Sequence, residues 1–304
     1  MLKARGAHRV ALQFPEGLKR QSSEYVASLR GAGFEVMING DPCYGACDLS
    51  TTMLADADVL VHVGHAPVDD QSRVIFLPWR VDFDVAVLEK ALVLLKGPST
   101  GLVTTVQHAH LIPAMAAFLK SRGIAVRVAE GSGRTPLRGQ VLGCNFTAAK
   151  DTRASEILFV GTGLFHPIGI SLSTGVRVIA LDPLTGIAQV VSGEALLRRR
   201  FAVMEKARGA KTVGIIVSTK SGQKRADLAR RLAALSPAAV IVTMQEVSPD
   251  ELLNLGFACY VNTACPRLAY DDQVRFPVPV LSPQEFEILC GTRHWDDYAV
   301  DEIL

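Results

Sequence analysis

Three of the six cysteines in this 304-residue chain stand in settings where a thiolate would do chemistry. They are Cys47 in Asp41-Pro-Cys-Tyr-Gly-Ala-Cys47-Asp48, Cys144 in Leu142-Gly-Cys-Asn-Phe146, and Cys265 in Asn262-Thr-Ala-Cys-Pro-Arg267, one in each third of the chain. So few cysteines cannot build a disulfide framework. In a reducing cytosol they read as core residues, catalytic thiols or metal ligands. Three thiolates brought together would hold a metal centre with one coordination position left open, where a substrate can bind. The other three have plainer settings. Cys259 lies in the strand-like run Phe257-Ala-Cys-Tyr-Val261, where cysteine acts as a small hydrophobe. Cys290 ends the helical-looking segment Pro283-Gln-Glu-Phe-Glu-Ile-Leu-Cys290 before Gly291. Cys43, four residues before Cys47, is either a further ligand or a spectator.

Two loops have the form of a ligand site. Val160-Gly-Thr-Gly-Leu-Phe-His-Pro-Ile-Gly-Ile-Ser-Leu-Ser-Thr-Gly175 reads as a strand, a glycine turn and a helix that starts near Pro167 and stops at Gly175. Gly161 and Gly163 would let the backbone approach an anionic group, with His166 at the pocket mouth. In Ser218-Thr-Lys-Ser-Gly-Gln-Lys-Arg225, Gln223 is the candidate polar contact, and Lys220, Lys224 and Arg225 are expected to be solvated charges. Arg267 and Asp271, four apart and next to Cys265, are expected to form a surface ion pair suited to a zwitterionic substrate. His108 and His110, spaced i, i+2, would not face one way on a helix and make a poor zinc pair. No P-loop, dinucleotide fingerprint or G-x-S-x-G elbow is present, which excludes those routes to NTP, NAD or serine-hydrolase chemistry.

Composition bounds the partners. Hydrophobic residues make up 49% of the chain, enough for a sizeable core, and the net charge of +2 leaves no electrostatic footprint for direct nucleic-acid binding. No apolar run reaches membrane-spanning length, and Met1-Leu-Lys-Ala-Arg-Gly6 lacks the apolar core of a signal peptide. A soluble, cytoplasmic protein with no membrane partner is expected.

The elements that must position these residues repeat. Strand-like runs at Arg9–Phe14, Gly101–Val106 and Thr212–Ser218 each open a block of roughly a hundred residues, followed by a helical segment and a second strand at Phe34–Ile38, Ile124–Val128 and Ala238–Thr243. Alternating strand and helix predicts α/β units with parallel sheets. Turn formers and charges place the divisions near Lys96-Gly-Pro-Ser99 and Ala207-Arg-Gly-Ala210, giving units 1–96, 97–209 and 210–304. Cys47 stands 17 residues before Gly64, which follows the strand Val59–Val63, and Cys144 stands 17 before Gly161, which follows Ile157–Val160. Cys265 instead follows its strand, so the third unit breaks the pattern. Internal duplication or triplication is the expected origin.

Taken together, Gly40-Asp-Pro-Cys-Tyr-Gly-Ala-Cys-Asp48, Thr104-Thr-Val-Gln-His108, Leu142-Gly-Cys-Asn145, Gly163-Leu-Phe-His-Pro-Ile-Gly169, Ala180-Leu-Asp-Pro183 and Asn262-Thr-Ala-Cys-Pro-Arg267 resemble the archaeal diphthamide-biosynthesis radical enzymes, the 2-(3-amino-3-carboxypropyl)histidine synthase family. The resemblance spans nearly the whole chain, in order. It implies three similar parallel-sheet α/β domains in pseudo-threefold arrangement around a 4Fe-4S cluster, with Cys47, Cys144 and Cys265 each ligating one iron. The fourth iron would engage S-adenosylmethionine. Cleavage of the bond from sulfur to the methionine γ-carbon would yield methylthioadenosine and a 3-amino-3-carboxypropyl radical, which adds to C2 of a histidine in translation elongation factor 2. Gly161, Gly163, His166, Gln223, Arg267 and Asp271 would line the cofactor pocket. The resemblance also implies a homodimer and an external electron donor. The usual radical-enzyme signature C-x-x-x-C-x-x-C is absent, since Cys43 and Cys47 are followed by Ser50, in keeping with this separate family. Asp48 stands where some relatives carry another cysteine. Two alternatives remain at this point: a quinolinate synthase-like 4Fe-4S enzyme, and a non-catalytic cluster-bearing accessory subunit.

Overall fold

The structure, a computed structural model, describes residues 1–304 and contains three separate sheets. The first is formed by β1 (Arg9–Gln13), β2 (Glu35–Ile38), β3 (Val59–Gly64) and β4 (Val74–Pro78), in the order β2-β1-β3-β4. The second has β5 (Thr100–Thr104), β6 (Val126–Arg127), β7 (Glu156–Val160), β8 (Arg177–Leu181) and β9 (Ala188–Val191), in the order β6-β5-β7-β8-β9. The third has β10 (Val213–Ser218), β11 (Ala239–Met244), β12 (Cys259–Asn262) and β13 (Val280–Leu281), in the order β11-β10-β12-β13. In each, the opening strand is central, the second strand lies on one side and the third on the other. The repeat expected from sequence is therefore a repeat of topology. All neighbours run parallel except β9, which returns antiparallel to β8. That edge hairpin departs from the purely parallel expectation.

Strands that are covered on both faces must be apolar along their length. β3, Val-Leu-Val-His-Val-Gly, and β10, Val-Gly-Ile-Ile-Val-Ser, are buried at every position. Each Leu or Ile so buried contributes about 1.5–3 kcal/mol. The second strand of the middle unit is shorter than the run Ile124–Val128 suggested. Only Val126 and Arg127 pair, against Thr100 and Gly101, at the sheet edge.

The units interlock. The helix Glu194–Ala207 packs Met204 and Ala207 into the core of the third sheet, while Tyr270 and Val300 pack into that of the second. Arg200 of this helix is fully buried and forks onto Glu285 at 2.8 and 2.6 Å, with further bonds to the carbonyls of Ala269 and Val280. Glu285 also takes the Ser282 N–H at 2.8 Å and the Tyr298 hydroxyl at 3.0 Å. No helix is long and apolar enough to cross a membrane.

Candidate metal centre

In each unit the topological switch point lies between the carboxyl ends of the first and third strands, where open α/β sheets collect ligands. The three cysteine loops start from the carboxyl-end side of their sheets, and each is held by groups from elsewhere in the chain.

The Cys47 loop is braced from both sides. Gln13, the last residue of β1, donates from Nε2 to the Asp48 carbonyl at 2.7 Å, and its side-chain Oε1 meets Nδ1 of His62 at 2.9 Å. His62 continues the chain to His65 at 2.9 Å. Lys220 reaches the Asp48 carboxylate at 3.0 Å and Glu246 at 2.9 Å. Gln223 Nε2 donates to Cys47 Sγ at 3.2 Å. Gly222 lies so close that a Cβ there would sit 2.5 Å from Cys47 Cα. Gly222→Ala is therefore expected to push the Cys47 loop off the third unit, costing about 1–3 kcal/mol. Denaturant unfolding and faster alkylation of Cys47 in the metal-free protein would register it.

Burial drives the His62 imidazole from its ordinary 6.5 down to about 3, helped by neighbouring His65. The folded state refuses this proton while the unfolded chain accepts it below pH 6.5. The stability this histidine contributes is thus complete above pH 6.5 and is lost as pH falls toward 3. Thermal denaturation should show a loss of about 2 kcal/mol between pH 6.5 and 5 from this residue. His62→Gln should flatten that slope.

The Cys144 loop is strapped by the C-terminal segment. Ile303 N–H donates to the Cys144 carbonyl at 2.7 Å, Asn145 Nδ2 to the Ile303 carbonyl at 3.1 Å, and Phe146 N–H to the Glu302 carboxylate at 2.9 Å. The Cys265 loop is held by Asn262, whose side chain donates to the Cys265 carbonyl at 2.8 Å and accepts from Ala264 N–H at 2.9 Å. Arg225 bonds the Thr263 and Ala264 carbonyls at 2.8 and 3.0 Å while gripping Asp301 at 2.7 and 2.6 Å.

These loops bring the three thiols into one electrostatic neighbourhood. Burial pushes Cys265 up to about 12, with Cys47 and Cys144 adding to it, and Cys144 up to about 11, with Cys47 adding to it. All three remain partly open to the surface, whereas Cys43 and Cys259 are buried. Cys259 sits in the third core and Cys290 packs against it, as their settings suggested. Cys43 is fixed in the protein interior beside Cys47, and burial raises its thiol to about 12. No three His, Cys, Asp or Glu side chains converge as the ligands of a single ion do. In an iron–sulfur cluster each thiolate serves its own iron, so its sulfurs stand apart.

The remaining candidates fall into two groups. Gln223 touches Cys47 directly. Arg267 and Asp271 form the expected exposed pair, and the Arg267 guanidinium lies 4.7 Å above the Phe165 ring. The helix Phe165–Thr174 begins two residues before Pro167 and ends on Gly175. His166 stacks on Phe159 with ring centroids 5.7 Å apart, and burial lowers its imidazole to about 4, the Arg267 charge adding to this. Gly161 and Gly163 form the turn leading into this helix, Gly163 in the left-handed region at φ 76° and Gly161 packed so that a Cβ would meet the Phe159 ring at 2.8 Å.

Lys220 and Arg225 correct the expectation of solvated charges. Both side chains are largely buried, paired with Asp48 and Asp301, which lie too far away in sequence for local spacing to reveal. Lys224 alone of the three is exposed. His108 and His110 bind no common point: His108 Nδ1 meets the Val81 carbonyl at 2.9 Å and His110 pairs with Asp82 at 2.7 Å. Sequence reasoning missed Arg134, Gly222, Arg225 and Phe165. For Arg134 the available signal was the turn-rich stretch Gly131-Ser-Gly-Arg-Thr-Pro136 shortly before the Leu-Gly-Cys motif.

The family model described as putative diphthamide synthesis protein matches residues 14–300. The 2-(3-amino-3-carboxypropyl)histidine synthase of Pyrococcus horikoshii is 39% identical, over 100% of this chain and 91% of that one. The human subunit 1 of 2-(3-amino-3-carboxypropyl)histidine synthase is 31% identical, over 97% of this chain and 71% of that one. The crystal structure of Dph2 from Pyrococcus horikoshii with a 4Fe-4S cluster matches with a TM-score of 0.93 at 37% identity, covering 100% of this chain and 91% of that one. Three sheets of one topology, three converging cysteine loops and likeness along the full length agree, and the chain belongs to the diphthamide synthesis family.

Proposed function

We propose that this protein is a 2-(3-amino-3-carboxypropyl)histidine synthase. It transfers the 3-amino-3-carboxypropyl group of S-adenosylmethionine to C2 of a histidine in translation elongation factor 2, the first step of diphthamide biosynthesis. The observation that carries this reading is the meeting of Cys47, Cys144 and Cys265, each from a different sheet unit, at one partly open place. The site suits an anionic iron–sulfur centre. Its three thiols have no disulfide partner, and Arg134 Nε is buried beside them with no hydrogen-bond partner.

In this reading Cys47, Cys144 and Cys265 each hold one iron. When bound, the cluster supplies the electron that breaks the sulfur to γ-carbon bond and an open iron to orient the co-substrate. The chain's own groups position the rest. Gln223 fixes the Cys47 sulfur by its N–H donor. Arg267 and Asp271 offer opposite charges to the amino acid end of S-adenosylmethionine. Their mutual pair is exposed and costs little to open. The Gly161–Gly163 turn lets backbone approach the co-substrate, and His166, neutral at physiological pH, lines the pocket without adding charge. The protein works as a homodimer in the cytoplasm, with elongation factor 2 as protein substrate and an external electron donor.

The test is product identification. Anaerobically reconstituted protein, reduced with dithionite and given S-adenosylmethionine and elongation factor 2, should release methylthioadenosine and leave a 3-amino-3-carboxypropyl adduct on histidine. Release of 5′-deoxyadenosine, or no turnover with a well-formed cluster, would sink the proposal.

A further inference from the structure

Of the arginines whose charge bears on the three thiols, only Arg134 has no carboxylate partner. Arg225 is neutralised by Asp301, and Arg267 by Asp271. The Arg134 terminal nitrogen donates to the Gly222 carbonyl at 3.0 Å, and its Nε stays buried without a partner.

The side chain is delivered by a stiff turn. Ser132 N–H donates to the Thr135 carbonyl at 2.8 Å, Thr135 N–H returns to the Ser132 carbonyl at 3.2 Å, and their hydroxyls meet at 2.8 Å. Gly131 is packed beneath it, where a Cβ would lie 2.3 Å from the Thr135 oxygen. The turn belongs to the middle unit and reaches Gly222 in the third, next to Cys47 of the first. The Arg134 guanidinium neighbours both Cys47 and Cys144, and through Gly222 it stands against the Cys47 backbone.

We propose that Arg134 is a positioning residue that sets the reduction potential of the centre held by Cys47, Cys144 and Cys265. It does so by placing a fixed positive charge and an unspent N–H donor at the Cys47–Cys144 edge. The inference rests on the ligand assignment proposed above. Net charge and hydrogen bonds to sulfur are the main protein controls on cluster potential. A cation there stabilises the form that has gained an electron, so the centre becomes easier to reduce. Arg134 also joins all three units, which makes its placement dependent on their correct assembly.

The experiment is an EPR-monitored redox titration of the anaerobically reconstituted full chain without S-adenosylmethionine, with iron and sulfide quantified in each sample. Arg134→Gln should keep its iron and lower the ratio of reduced to oxidised cluster at a fixed potential about tenfold, equivalent to ~59 mV for one electron. Arg138→Gln removes the same charge from the same loop at an exposed position paired with Glu130, and should leave the midpoint at the wild-type value. A full-iron Arg134→Gln cluster with the wild-type midpoint overturns the inference, including the case in which only the KM for S-adenosylmethionine rises. If Arg134→Gln holds no iron, Arg134→Met, which removes the charge and the donor while filling the space, decides by the same titration: a midpoint below wild type supports the inference and an unchanged one overturns it. A wild-type protein that takes up no cluster refutes the ligand assignment instead.

Discussion

Alanine at Cys47, Cys144 or Cys265 should remove the iron–sulfur cluster, whereas alanine at Cys259 or Cys290 should leave it in place. Each of the first three thiols comes from a different unit, and neither the Cys144 nor the Cys265 loop holds a second cysteine. The spare sulfur of the Cys47 loop, Cys43, is buried in the protein interior, so it cannot swing into the vacated position without unfolding that loop. Loss of an outer partner alone lowers metal affinity or activity by about 10–100-fold, so loss of a ligand should lower activity by more than about 100-fold. The folds of the three variants should survive. Asn262 and Arg225 hold the Cys265 loop, and Ile303 the Cys144 loop, through backbone atoms that the substitutions leave untouched. Iron and sulfide content with far-ultraviolet circular dichroism separates the two effects. Full cluster occupancy in any one of these variants removes that residue from the ligand set.

The largest loss of stability should come from Glu285→Ala. It strands the Arg200 guanidinium, which is 1% exposed, and leaves the Tyr298 hydroxyl and Ser282 N–H without their acceptor. Breaking a buried pair by removing one partner costs about 3–5 kcal/mol, because the remaining charge stays desolvated. The consequence reaches the site. Arg200 also holds the Ala269 carbonyl in the short helix Arg267–Tyr270, directly after Cys265. Urea unfolding of the metal-free protein should show the lower midpoint, and reconstitution should load less iron. A change below about 1 kcal/mol would mean that this network does not clamp the third unit.

The recurrence of the strands was legible because buried parallel strands must be continuously apolar. Val59–Val63, Ile157–Val160 and Thr212–Ser218 therefore announce themselves from composition alone. The matched spacing from Cys47 to Gly64 and from Cys144 to Gly161 likewise reports two equivalent loops, each leading into a third strand. What local pattern could not carry was partnership over long range. Lys220 and Arg225 read as solvated until Asp48 and Asp301 are brought beside them by the fold. Gly222 reads as a loop glycine, and only packing against Cys47 explains why it has no side chain. Arg134 sits in a stretch of turn formers whose sequence gives no direction, and its value lies in where the turn points. The strap of Glu302 and Ile303 over Cys144 was invisible for the same reason, since its register is set by tertiary contact.

The central claim is that three units converge to hold one 4Fe-4S cluster with one iron left open for S-adenosylmethionine. Mössbauer spectroscopy of protein reconstituted with labelled iron tests it directly, before and after addition of S-adenosylmethionine. The account predicts that one iron in the cluster differs from the other three and that its signal alone shifts when S-adenosylmethionine is added. Four equivalent irons with no response to S-adenosylmethionine would contradict it.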